Sequence, residues 1–170
     1  MYTAEDIFLE RERRIEYQEK LLEQFKMPLL VIRVNYPGIN KDNRFSQGIT
    51  KVIESVICET FYASIHNKII TTTAEGPLVI MSINKSARDI KLITLGIEEK
   101  HPLGRCVDID VYDRSGRGIS RSDFNLGMRK CFLCDDIAHN CVRSEKHSKK
   151  EVEEFIKIRF TEYMEKVYEK

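Results

Sequence analysis

Apolar side chains recur at helical spacing through residues 4–26. Ile7, Phe8, Ile15, Leu22 and Phe25 line one side of an otherwise highly charged stretch, which predicts an amphipathic helix ended by Pro28. The pattern then changes. Leu29-Leu30-Val31-Ile32-Arg33-Val34-Asn35 is short, apolar and rich in β-branched residues, so a strand is expected, and Pro37-Gly38 marks a turn. Ile49, Val52, Ile53, Val56, Ile57 and Phe61 return to helical spacing. Two strands follow, 66–73 and 78–84, joined through Ala74-Glu75-Gly76-Pro77. Ser86-x-x-Asp89 resembles a capping box and opens a third helix carrying Ile90, Ile93 and Ile97. Beyond it, residues 101–105 read as a loop, 106–112 as a strand and 113–118 as a turn. Ser148-x-x-Glu151 caps a last helix whose stripe is Val152, Phe155, Ile156, Phe160, Tyr163 and Val167. This order of elements predicts an α+β fold, with helices flanking a mixed or antiparallel sheet. No repeat or low-complexity linker divides the chain, so residues 1–170 read as a single domain that includes a small Cys/His-rich segment at 131–147.

Composition narrows the function classes. Lys plus Arg is 28 and Asp plus Glu is 27, a formal charge of +1, which argues against a polybasic nucleic-acid binder. Hydrophobic residues are 42% and charged residues 32%, a mix that fills a core and argues against disorder. No apolar run approaches the roughly 20 residues needed to cross a bilayer. Met1-Tyr2-Thr3-Ala4-Glu5-Asp6 lacks the basic and apolar blocks of a signal peptide, so a cytoplasmic location without membrane association is expected.

The sharpest local chemistry is Val107-Asp108-Ile109-Asp110-Val111. On a strand, side chains alternate, so Asp108 and Asp110 share one face and the three apolar residues the other. Two adjacent carboxylates repel unless a cation lies between them, which makes the pair a natural Mg²⁺ site beside a phosphate substrate. The alternative is a half-exposed amphipathic strand with two solvated acids. The surroundings favour the metal: Gly104-Arg105 precedes the strand, and Arg114, Arg117 and Arg121 follow it. Arginines suit bidentate phosphate contacts, so acids and arginines together suggest phosphoryl or nucleotidyl transfer. Gly104, lacking a Cβ, would let the backbone approach a ligand closely. His101 could act as a base near the carboxylates or be a loop histidine contacting backbone. Farther on, Cys131-x-x-Cys134, His139-x-Cys141 and His147 have spacings that could close a tetrahedral Zn²⁺ site, of which only four can bind at once. Buried thiols in a tight loop are the other reading of that segment.

The string His101-Pro102-Leu103-Gly104-Arg105-x-x-Asp108-Ile109-Asp110-Val111, then Ser120-Arg121, Arg129-x-Cys131-x-x-Cys134 and Cys141-x-Arg143-x-x-x-His147 resembles the citrate lyase holo-acyl-carrier-protein synthases, also called apo-citrate lyase phosphoribosyl-dephospho-CoA transferases. Arg11-Glu12-x-Arg14, Pro37-Gly38 with Lys41-Asp42, and Ala87-Arg88-Asp89-x-Lys91 extend the resemblance upstream. It implies transfer of a phosphoribosyl-dephospho-CoA prosthetic group from a triphosphate precursor to a serine of the apo acyl-carrier subunit of citrate lyase, with release of pyrophosphate. The fold implied is nucleotidyltransferase-like, although Arg105 stands where that superfamily carries a small residue after glycine. On this resemblance Asp108 and Asp110 hold Mg²⁺, and Asp89 or His101 takes the serine proton. Gly104, Arg105, Arg121, Lys91, Arg11, Arg14 and Lys41 are then the expected substrate contacts. Cys131, Cys134, Cys141 and His147 match the family pattern and are the preferred Zn²⁺ ligands, with His139, outside that pattern, as the alternative. The rival readings are a nucleotidyltransferase with another donor or acceptor, and a non-catalytic zinc-stabilised module that binds protein or RNA.

Overall fold

The computed structural model describes residues 2–169. Among them, helices and strands follow in the order α1 (Ala4–Phe25), β1 (Leu29–Val34), α2 (Arg44–Phe61), β2 (Ile65–Thr73), β3 (Gly76–Ile83), α3 (Ala87–Lys100), β4 (Val107–Tyr112), β5 (Gly118–Ile119), α4 (Ala138–Arg143) and α5 (Lys149–Tyr168). Side chains close the helix starts as the sequence suggests. Ser148 and Glu151 cap α5 reciprocally, and the Ser86 hydroxyl accepts from the Asp89 amide at the start of α3. The strands form one sheet in the order β2-β3-β1-β4-β5, with every pairing antiparallel. Of the two sheet types expected, it is the antiparallel one.

Alternation along the strands assigns two faces. Leu30, Ile32 and Val34 of β1 join Val79, Met81 and Ile83 of β3 and Val107, Ile109 and Val111 of β4, and pack on Ile49, Ile53, Ile57 and Phe61 of α2 and Ile156 of α5. The opposite face, with Leu29, Val31, Leu78 and Ile80, packs under Leu21 and Leu22 of α1. β1 and β3 are covered on both sides, which is why they read as continuous apolar runs.

Three apolar stripes differ from expectation. On α1, Phe8 and Ile15 are exposed, and the buried residues are Arg14, Gln18, Leu21 and Leu22. Toward its N-terminal half the helix meets the buried Glu75 carboxylate, which is matched by Arg14 rather than by an apolar side chain. On α3, Ile90 is buried but Ile93 is exposed, and Lys91, Thr94 and Glu98 turn inward instead. On α5, Ile156 is fully buried, whereas Val167 near the helix end is exposed.

The connection between β2 and β3 is tighter than a bare turn. Gly76 has φ +89°, and a Cβ there would lie 2.8 Å from the Lys41 carbonyl oxygen, so only glycine fits without displacing backbone. This close approach tucks the preceding Glu75 into the interior, where it is 7% exposed.

Candidate active site

Asp108 and Asp110 alternate with buried Val107, Ile109 and Val111, as the strand pattern requires. Both carboxylates stand on the α1 side of the sheet, the face that Arg33 of β1 shares. Asp110 Oδ2 accepts from Arg33 Nη2 at 2.7 Å. Asp108 Oδ1 accepts from Arg129 Nη1 at 2.6 Å and Asn35 Nδ2 at 2.9 Å. Burial works against the Arg33 charge, but Asp110, Asp108 and Glu75 outweigh it and raise its pKa above the ordinary value. Asp108 Oδ2 and Asp110 Oδ1 accept no protein hydrogen bond among the described residues. Two open oxygens on neighbouring carboxylates of one face fit a hard divalent cation, with Arg33 and Arg129 partly offsetting the charge it would meet.

The free edge of β4 completes the site. β5 pairs only with Val111 and Tyr112, so the earlier residues of β4 have no strand on that side. Side chains take its place. Lys91 Nζ donates to the Ile109 carbonyl at 2.7 Å, and the Ile109 amide donates to Glu98 Oε1 at 2.9 Å. Arg129 Nη2 donates to the carbonyls of Val107 at 2.9 Å and Gly104 at 3.0 Å. This explains the inward turn of α3: a buried strand edge needs hydrogen-bond partners, which Ile93 could not provide. Burial raises the Glu98 carboxyl above its usual range, against the pull of Lys91 and Arg129. A cleft of about 340 Å³ opens here, lined by Lys91, Glu98, Asp108, Asp110, Arg121 and Arg129 among others. Tyr112 belongs both to this cleft and to a groove between α1 and the β4–β5 turn.

The residues expected as substrate contacts divide into groups. Lys91 and Arg121 line the cleft; Arg121 is also held by Glu99 at 2.7 Å and the Gly127 carbonyl at 3.0 Å. Arg11, Arg14 and Lys41 lie on the far side of Arg33. Arg14 Nε meets Glu75 at 2.7 Å, Arg11 Nε approaches the same carboxylate at 3.9 Å, and Lys41 Nζ donates to the Tyr36 carbonyl at 2.7 Å. Arg33 Nη1 lies 3.7 Å from Glu75, so a single guanidinium links this group to Asp110.

Arg105 is not among the cleft-lining residues; its guanidinium donates to the Lys130 carbonyl, and it forms no ion pair with Glu98 or Glu99. Burial and then Arg129 hold the Arg105 pKa below its ordinary value. His101 lies outside the cleft lining too. Its Nδ1 accepts from the Leu103 amide at 3.1 Å, its ring leans on Tyr163, and burial lowers its pKa, which favours the neutral form. Asp89 is exposed in the first turn of α3, also outside the cleft lining.

Gly104 packs closely against the end of α3. A Cβ there would sit 2.4 Å from the Ile97 carbonyl oxygen and 2.7 Å from that of Glu98. We expect Gly104→Ala to cost about 1–3 kcal/mol, because backbone cannot retreat as a flexible side chain can. A thermal or urea melt checks this; unchanged stability would mean that the end of α3 yields freely.

The cysteine segment is compact. The Cys131 amide donates to the Asp136 carbonyl at 2.7 Å, Lys130 bridges to Ile137, and the Ala138 amide donates to the Arg129 carbonyl at 2.9 Å. This small knuckle presents Cys131 and Cys134 toward Cys141 of α4 and His147. The four ligand atoms lie within 4.8 Å of one another, with Cys134 Sγ 3.5 Å from Cys141 Sγ and 3.3 Å from His147 Nε2. Ligands of a tetrahedral Zn²⁺ with Zn–S near 2.3 Å stand about 3.7 Å apart, so the donors fit such an ion. His139 is exposed on α4 and outside this group. A backbone hydrogen bond from Asp136, then one from His147, lowers the Cys134 thiol to about 6. Burial, then the hydrogen bond to Cys134, pushes the neighbouring Cys141 thiol the other way, up to about 12.

Arg33, Glu75, Glu98 and Arg129 were missing from the expected set. Arg33 and Glu98 carry a signal in retrospect, each being a charge within an apolar strand or on the inward side of a helix. Glu75 sits in what reads as a plain turn.

A family described as apo-citrate lyase phosphoribosyl-dephospho-CoA transferase matches residues 2–163. A Citrobacter koseri protein of that name is 32% identical over 148 residues, covering 84% of this chain and 80% of the relative. Proteins of the same name from Shigella boydii and Escherichia coli O157:H7 are each 33% identical over 147 residues, covering 84% of this chain and 79% of the relative. With its length matched almost throughout, this chain belongs to the apo-citrate lyase phosphoribosyl-dephospho-CoA transferase family.

Proposed function

We propose that this chain transfers the 2′-(5″-phosphoribosyl)-3′-dephospho-CoA group from its triphosphate precursor to a serine of the apo acyl-carrier subunit of citrate lyase, in the cytoplasm. The observation that carries this reading is the family match over residues 2–163. In the reaction the serine oxygen forms a bond to the 5″-phosphorus, the bond to pyrophosphate breaks, and the hydroxyl proton passes to water or to the released pyrophosphate. The nucleophile comes from the carrier, so this chain's task is to hold the donor and offset charge on the leaving group.

The cleft at β4 suits that task. Arg121 and Lys91 would set positive charge beside the polyphosphate, and Arg33 and Arg129 would keep Asp108 and Asp110 oriented across it. Asp108 and Asp110 would hold Mg²⁺, which when bound would neutralise charge developing on pyrophosphate. The donor is far larger than the phosphates alone. The groove that continues past Tyr112, with Ile15, Leu22 and Arg114 in its walls, offers room for its remainder. Cys131, Cys134, Cys141 and His147 would supply four protein ligands to Zn²⁺, leaving no open position for water, so that ion would be structural. No helix among the described residues is long and apolar enough to cross a membrane.

The deciding experiment incubates apo-carrier subunit with this protein, Mg²⁺ and the triphosphoribosyl donor. The carrier should gain the mass of one phosphoribosyl-dephospho-CoA on serine, with an equal amount of pyrophosphate. If authentic donor and carrier give neither product, the reading is wrong.

A further inference from the structure

Arg129 touches both halves of the site. Its guanidinium holds Asp108 Oδ1 at 2.6 Å and the carbonyls of Val107 and Gly104 at 2.9 and 3.0 Å, with Glu98 3.8 Å away. All the protein partners of this fork belong to the end of α3, the turn before β4, or β4 itself. Its backbone belongs to the cysteine knuckle, because the Arg129 carbonyl accepts from Ala138 while the next residue bridges to Ile137. Arg105 adds a second tie by donating to Lys130. The side chain is 19% exposed, so the fork is largely shielded from competing water.

We infer that Arg129 is a positioning residue for the transfer reaction, and that through it the Cys131–His147 segment sets the orientation of the Asp108 carboxylate. The inference rests on the proposed function. The fork, with Asn35, occupies one oxygen of Asp108 and leaves the other without a protein hydrogen bond, on a residue that lines the cleft. Its planar geometry matters: one guanidinium reaches two carbonyls and a carboxylate at once, whereas a lysine ammonium has no such fixed fork. The segment is anchored by a stack of Phe132 on Phe155 at 4.5 Å between ring centroids and by the burial of Cys141. A metal on the four ligands would stiffen the knuckle from which Arg129 departs, so metal loading at the segment and geometry at Asp108 become coupled.

The test uses the full-length, metal-replete protein with Arg129→Ala and Arg129→Lys variants. Arg129→Ala should lose about 100-fold in kcat with donor KM within about threefold, since misplacing a catalytic group acts on the transition state more than on binding. Added guanidinium ion should restore part of the kcat, and Arg129→Lys should fall between Ala and wild type. Both variants should keep the wild-type metal content. Hydrogen exchange of the amides from 104 to 110 should quicken in Arg129→Ala, and quicken likewise in wild-type protein stripped of metal. A kcat retained in Arg129→Ala would overturn the inference. So would a loss that guanidinium does not relieve and that tracks melting temperature alone. Unchanged exchange at 104–110 after stripping would overturn the coupling, whatever the donor turns out to be. Absent carrier modification by wild type would instead overturn the proposed function, and the exchange result would still judge the coupling.

Discussion

Asp108→Asn and Asp110→Asn should each lower turnover by about three orders of magnitude, because on the proposed function either change would remove a charged oxygen ligand of Mg²⁺ where several kcal/mol of charge stabilisation is needed. Asparagine keeps the shape and an acceptor, so Asn35, Arg129 and Arg33 retain partners. Both carboxylate side chains are more than one-third exposed, at 40% and 36%, so stability should change by no more than about 1 kcal/mol. The measurement pairs kcat for carrier modification with a denaturant melt of each variant. EDTA added to wild type should reproduce the kinetic loss, and Mg²⁺ in excess should reverse it. Full activity in either variant, or in EDTA, would falsify the metal role of the pair.

Loss of the proposed Cys/His metal site should have the second large effect, and it should fall on stability as well as activity. Cys134 contacts both Cys141 and His147, so Cys134→Ser removes the thiolate at the centre of the group. If the site is filled at a hundred times its dissociation constant, the metal adds about 2.7 kcal/mol. For a chain of this size that corresponds to a fall of roughly 5–10 °C in melting temperature on stripping. Metal analysis of protein purified without added zinc should find one zinc per chain in wild type and less than that in Cys134→Ser. A metal-free wild-type protein with undiminished stability would leave a group of packed thiols.

Much of the fold is legible in the residues because it rests on period and caps. The α2 stripe Ile49, Ile53, Ile57 and Phe61 is buried as its spacing implies, and Ser86 and Ser148 mark real helix starts. The misreadings on α1 and α3 share one cause. Ile15 on α1 and Ile93 on α3 look like core positions on apolar spacing alone, but both helices face polar demands. α1 must meet Glu75, and α3 must meet the backbone of Ile109. Such demands arise only after strands have paired, from residues 61 and 18 positions away for the Arg14–Glu75 and Lys91–Ile109 contacts. The paired aspartates and the four metal donors are local patterns, so sequence alone brings them forward. The partners that orient them, Arg33 and Arg129, are 77 and 21 residues from the aspartates they hold, and spacing says nothing about them.

The strand edge closed by Lys91, Glu98 and Arg129 also limits how another protein can approach. An exposed edge is a template on which a foreign strand can add itself, the route to both sheet-extending complexes and aggregation. On β4 the Val107 and Ile109 carbonyls and the Ile109 amide already have side-chain partners. On the proposed function, a carrier arriving at the aspartates would find no backbone ladder to extend there and would present its serine from a loop or helix. The long strand at the other end of the sheet, β2, lies three strands away across β3 and β1. A strand added on β2 would lie away from the cleft and leave it open.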